Sequence, residues 1–122
     1  MKIYSKIGSE PEWVCGHWNG SPLAIGMGLR KEIGTYEVLH SHPYREYYIS
    51  IEGEAQLQVG NDRIKLIPGS IVMVEPGEEH MVSAVPASGA SWIVIKERSE
   101  PGTKLISSAG KDDSLENRAS GT

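Results

Sequence analysis

Short apolar runs recur along the chain about ten residues apart, with glycine and proline between them. They are Leu23–Leu29, Tyr36–His40, Tyr47–Ile51, Ala55–Val59, Arg63–Leu66, Ile71–Val74, Met81–Val85 and Trp92–Lys96. Several of them alternate. Tyr36, Val38 and His40 stand against Glu37 and Leu39, and Ala55, Leu57 and Val59 stand against Gln56 and Gln58. A period of two is the repeat of a strand with one buried face. The turn residues agree. Gly60-Asn61-Asp62 predicts a hairpin between two runs, and Glu75-Pro76-Gly77 breaks another pair. No segment carries a helical stripe. The pattern predicts an all-β sandwich or barrel.

The length, 122 residues, suits one domain. Residues 1–22 read as an N-terminal arm or first strand, residues 23–98 as the barrel, and residues 99–122 as a flexible C-terminal extension. Between Ala109 and Thr122 the apolar residues are Ala109, Leu115 and Ala119 alone, a composition expected to be mobile or docked on a partner. Twelve basic residues against 16 acidic ones give a net charge of −4. Without a basic cluster to meet phosphates, no nucleic-acid partner is expected. No stretch approaches the roughly 20 apolar residues of a membrane span. Met1-Lys2-Ile3-Tyr4-Ser5-Lys6 opens no hydrophobic leader, so no membrane partner is expected. Cys15 is the single cysteine, which excludes an internal disulfide and fits a cytoplasmic address.

The candidate chemistry lies in the histidines: His17, His40, His42 and His80. His40 and His42 are spaced i, i+2, which in a strand puts both imidazoles on one face. Glu46 follows the bend Pro43-Tyr44-Arg45, and His80 follows the turn at Gly77. Three imidazoles and a carboxylate suit one divalent transition-metal ion: Fe, Mn, Ni, Co or Zn. On an octahedral ion they leave two positions open. A His-x-His pair alone is weak evidence. The longer frame is strong: Gly34, five residues, His40-Ser41-His42, three residues, Glu46, six residues, Gly53. At this composition it is expected by accident on the order of 10⁻⁴ times.

That frame resembles the first motif of the cupin family at every defined position. The family's second motif resembles the stretch in which Gly69, Gly77 and His80 fall in register. Two positions depart from it: Glu75 takes the place of a proline and Ala84 that of an asparagine. The resemblance implies a small double-stranded β-helix, or jelly-roll barrel, with His40, His42, Glu46 and His80 as ligands of its metal. It also favours, among small cupins, dioxygenase-type chemistry, and a homodimer in which the tryptophan-rich N-terminal segment docks between protomers.

Parity maps the pocket. If Glu46 points inward, Tyr48 and Ser50 follow, with Tyr47, Ile49 and Ile51 opposite. Val38 and Tyr36 follow His40, and Val82 and Ala84 follow His80. Tyr36 and Tyr48 are thus the candidate catalytic groups, equally readable as core aromatics with satisfied hydroxyls. Met73, Met81 and Trp92 are expected to pack between sheets. Arg45 is expected to face away from the ligands, and Arg30 and Lys31 to lie at a solvated strand end. Cys15 and His17 read as part of a strand packing Trp13 and Trp18 rather than as a second metal pair.

Three functions fit. The first is a metal-dependent enzyme acting on a small organic substrate, with oxygenase-type chemistry. The second is a non-redox isomerase, epimerase, cyclase or lyase of a small carbonyl or sugar compound, with the ion as Lewis acid. The third is a barrel that binds a ligand without turnover.

Overall fold

The computed structural model of the chain describes residues 1–5, 13–31, 38–102 and 104–106. Among them the strands are β1 (Trp13–Cys15), β2 (Ala24–Lys31), β3 (His40–Ser41), β4 (Glu46–Glu52), β5 (Ala55–Val59), β6 (Asp62–Leu66), β7 (Ile71–Val74), β8 (His80–Ala84), β9 (Ala90–Lys96) and β10 (Leu105–Ile106). They form two five-stranded sheets, ordered β1-β2-β9-β4-β7 and β10-β3-β8-β5-β6, with antiparallel pairing throughout. The one helical element among the described residues is a 3-10 turn at His17–Asn19. No helix among them is long and apolar enough to cross a membrane. The architecture is the all-β jelly roll that the period of two and the resemblance predicted.

The alternation sets which face is buried. In β4 the side chains of Glu46, Tyr48 and Ser50 are buried, while Tyr47 and Ile49 are half-buried and Ile51 is exposed. Tyr48, Leu57, Leu66, Val74, Val82, Trp92 and Val94 meet between the sheets as one core. Each such side chain contributes about 1.5–3 kcal/mol by leaving water. The hairpin at Gly60-Asn61 pairs Val59 with Asp62, and Gly60 takes the positive φ of 58° that this turn needs. At Gly53 the need is double: φ is 71°, and a Cβ would stand 2.3 Å from the Gly89 carbonyl oxygen.

Two glycines inside β2 make room for indoles. A Cβ on Gly26 would meet the Trp13 ring at 2.9 Å, and one on Gly28 would meet the Trp92 ring at 2.4 Å. Trp13 therefore packs on the barrel, as expected of this segment. Trp18 does not follow it and is 44% exposed, with its ring edge-on to His17.

Several expectations differ from the structure. The run Tyr36–His40 is strand only at His40–Ser41, while Val38 and Leu39 lie outside the strand and Tyr36 and Glu37 fall outside the described residues. Just before the strand, His40 Nδ1 donates to the Val38 carbonyl at 2.6 Å. Met73 does not pack between the sheets; it is 42% exposed on the outer face, because Val72 and Val74 take the inner parity of β7. The barrel also continues past residue 98, since β10 pairs with β3. Residues 109–122 fall outside the described residues.

Candidate metal centre

His40 opens β3 and pairs directly with His80, which opens β8. His42 follows two residues on, beyond the end of β3. Glu46 opens β4 in the other sheet. The four side chains are buried, and one ligand atom from each lies within 4.8 Å of the others. The turn that carries His80 is tied to the segment that carries His42: the Gly77 amide donates to the His42 carbonyl at 2.8 Å. Gly77 holds a φ of 82°, which suits a glycine in that turn.

The hydrogen bonds orient the rings. His40 Nδ1 donates to the Val38 carbonyl at 2.6 Å and His80 Nδ1 to the Glu78 carbonyl at 2.9 Å. A carbonyl accepts only from a protonated nitrogen, so each ring turns its Nε2 toward the centre. His80 Nε2 lies 2.5 Å from Glu46 Oε1, and His42 Nε2 lies 3.6 Å from the same oxygen. Both ring nitrogens of His42 are buried without a hydrogen-bond partner. Buried orphans of this kind are costly, and an ion among the four side chains would satisfy one of the two. The residues therefore fit a metal: the group can hold one divalent ion.

Electrostatics move His40, His42 and Glu46 toward the form a metal needs. Burial, and then the Lys96 charge, push the His42 imidazole down to about 2. Burial and the Lys104 charge hold His40 well below the ordinary histidine range. Burial alone would raise the Glu46 carboxyl, but the His80 hydrogen bond and the charges of His80 and Lys96 together lower it. Neutral imidazoles and an ionised carboxylate are the ligating forms.

The remaining candidates separate cleanly. Tyr48 is fully buried on the inner face, its ring edge-on to His80 with centroids 6.0 Å apart. Tyr36 falls outside the described residues. Arg45 points to the surface, as expected, where it pairs with Glu97 at 3.1 Å and Glu75 at 3.4 Å. The departure at Glu75 is thus an exposed surface pair, and Ala84 simply ends β8. Cys15 is free and buried, and His17 Nδ1 lies 2.7 Å from Ser99 Oγ, so the two form no second cluster.

Two residues near the centre escaped the sequence reading. Tyr44 is buried and stacks on His42, with centroids 5.1 Å apart and planes 10° from parallel. Parity with Glu46 and Tyr48 pointed to it, but a Pro-Tyr-Arg bend hid the strand-like alternation. Lys96 is 2% exposed and pairs directly with Glu46 across the sheet. It continues the inward series Trp92, Val94, Lys96, but a charged residue at the end of an apolar run reads as solvated.

Comparison with known proteins places this geometry. A family model described as a cupin domain matches residues 31–96. No curated protein matches the chain. Its fold is similar to that of Bacillus subtilis oxalate decarboxylase, at 18% identity and a TM-score of 0.60, covering 72% of this chain and 25% of that one. It is similar to a sugar phosphate isomerase of Silicibacter pomeroyi, at 16% identity and a TM-score of 0.61, covering 72% of this chain and 58% of that one. It is also similar to a DMSP lyase of Ruegeria pomeroyi, at 22% identity and a TM-score of 0.58, covering 78% of this chain and 47% of that one. The chain spans less than two thirds of each of these proteins. The Bacillus subtilis decarboxylase has Mn(II) centres. With its matched motif, its two facing sheets and its converging imidazoles, the chain belongs to the cupin family.

Proposed function

We propose that this chain is a metal-dependent enzyme acting on a small organic substrate inside the barrel, with His40, His42, Glu46 and His80 as ligands. The observation that carries this reading is the buried, converging donor set in which both nitrogens of His42 lack a partner. A divalent ion bound there would supply Lewis acidity and, if redox-active, a route to dioxygen. Val38 and Glu78 carbonyls hold two imidazoles in the ligating tautomer, and Tyr44 stacks on the third. Oxygenase-type chemistry is the first form of the proposal. A non-redox form is favoured by Tyr48, a buried phenol beside His80 that can move a proton to or from a bound substrate. That form also agrees with the isomerase and lyase among the proteins of similar fold. The single cysteine, free and buried, suits a cytoplasmic address.

The working unit is proposed to be a homodimer. The outer face of the first sheet is a continuous apolar surface: Ile25 and Met27 flank Ile95 and Ile93, which flank Tyr47 and Ile49, which flank Met73 and Ile71. Ile71 is 62% exposed. An exposed apolar patch of this extent is built to be covered, and its charges, Arg45 with Glu75 and Glu97, are paired with one another at its end.

Elemental analysis of protein isolated without chelator tests the centre. Near-stoichiometric metal is expected, and a site that stays empty after metal is added back overturns the enzyme reading. Substrate screens with and without oxygen then separate the two forms. Tyr48→Phe is expected to lower non-redox turnover about 10²-fold or more while leaving metal content unchanged.

A further inference from the structure

Two of the three imidazoles are oriented by the same device. His40 Nδ1 donates to the carbonyl of Val38 and His80 Nδ1 to that of Glu78, in each case the carbonyl two residues earlier. Such a bond fixes the plane of the ring and also the nitrogen it presents. His42 has no counterpart. The residue two before it is His40, which stands in β3 between β8 and β10, and neither nitrogen of His42 has a hydrogen-bond partner. The main chain of His42 is tied down, since its carbonyl accepts from the Gly77 amide at 2.8 Å. The imidazole itself has no such tie.

What meets the ring instead is Tyr44. From His42 to Ser50 every second side chain is buried, through the bend as well as through β4, so Tyr44 falls on the inward side between His42 and Glu46. Pro43 favours extended backbone at His42, which keeps the two rings on one side. The rings lie 10° from parallel with centroids 5.1 Å apart, an offset stack. The other rings around His42 belong to fellow ligands: His40, edge-on at 4.9 Å, and His80, tilted at 5.6 Å. Tyr44 is in turn anchored. It is buried, and the Arg98 guanidinium lies over its ring, 5.4 Å from the centroid, while donating to the Pro43 carbonyl at 3.2 Å. A face contact restrains the tilt of an imidazole but leaves the choice of nitrogen open.

We propose that Tyr44 is the positioning residue of His42, its ring face holding the imidazole toward the centre in place of the hydrogen bond that the other two histidines use. This rests on the metal-dependent reading and deepens it. It makes His42 the ligand whose placement depends on another side chain rather than on the main chain. The ring face does the work, so phenylalanine serves at this position and leucine does not.

Cobalt(II) is the probe, since its visible spectrum reports the ligands around the ion. Tyr44→Phe is expected to match the wild type in cobalt affinity and spectrum. Tyr44→Leu is expected to bind cobalt about 10–100-fold more weakly, with its spectrum moved toward that of His42→Ala. A folded Tyr44→Leu protein with the wild-type affinity and spectrum, changed only in melting temperature, overturns the proposal. Equal losses in Tyr44→Phe and Tyr44→Leu also overturn it, because the hydroxyl and not the ring face would then be at work. Nitrogen NMR of the metal-free wild type decides the matter even where Tyr44→Leu does not fold. His40 and His80 are expected in one tautomer, protonated at Nδ1, and His42 is expected not to be confined to that form. Confinement of His42 to the same form would mean that a hydrogen bond orients it, and overturns the proposal. A wild type that takes up no cobalt overturns the metal reading beneath, and the nitrogen spectrum still reads the orientation of His42, so the two failures are distinct.

Discussion

The two ends of the barrel interior are equally dry and chemically opposite. At one end His40, His42, Glu46, His80 and Lys96 are all 2% exposed or less. In the middle and at the other end Leu57, Val82, Leu66, Ala55 and Ala90 are just as buried. The same ladders run through both: β8 begins with His80 and passes through Val82, and β4 begins with Glu46 and passes through Tyr48 to Ser50. The apolar end repays its ordering by removing hydrocarbon from water. The polar end pays desolvation, and the orphaned nitrogens of His42 show that protein groups alone do not repay it. The first region explains why the chain folds, and the second explains what the fold is for.

The sharpest way to break this contrast is His42→Ala. Metal affinity is expected to fall at least ~100-fold, since removing a ligand exceeds the cost of losing a supporting partner. The metal-free variant is expected to melt no lower than the metal-free wild type, because a costly buried polar group has gone. Metal binding unchanged by the substitution would refute the ligand assignment. Leu57→Ala is the converse probe. It should cost about 2–5 kcal/mol in denaturant unfolding, with unaltered metal stoichiometry in the folded fraction. Loss of metal at intact stability would show that the two ends are not separable.

Acid gives a smaller, graded response. His40 and His42 titrate below their unfolded value of 6.5, and Glu46 below its ordinary value of 4.5. The folded state therefore binds fewer protons than the unfolded chain. The stability these groups supply is present above the unfolded values and is lost as pH falls. Unfolding of metal-free protein followed downward from pH 6.5 should show stability declining, steepening as the carboxylate range is entered. Bound metal should be released over the same acid range, as the ligands take up protons. Flat stability between pH 6.5 and 4.5 would mean that the imidazoles are not held neutral by burial.

Much of the site was legible before folding was considered. The spacing of His40, His42 and Glu46 and the turn before His80 named all four side chains that converge. They were legible because ligands need particular atoms, and such atoms are few in an apolar pattern. Tyr48 was placed inward by parity with Glu46, as found. Lys96 and Tyr44 were not legible, because residue type argued against burial for one and for a bend at the other. Met73 was misread for a related reason: the run Ile71–Val74 is apolar at every position, so composition could not say which parity faces the core.

The sequence by itself determined the strand period, the turns that need glycine and the identity of the donor atoms, because these depend on covalent geometry within a few residues. Only the tertiary structure decided that His80 comes to within 2.5 Å of Glu46 across 34 positions, that Lys96 is drawn inside, and that β10 closes beside β3. Those outcomes depend on which strands share a ladder and which side chains share a space without water. Both are properties of the whole chain, since each contact is favourable only once the others have excluded solvent.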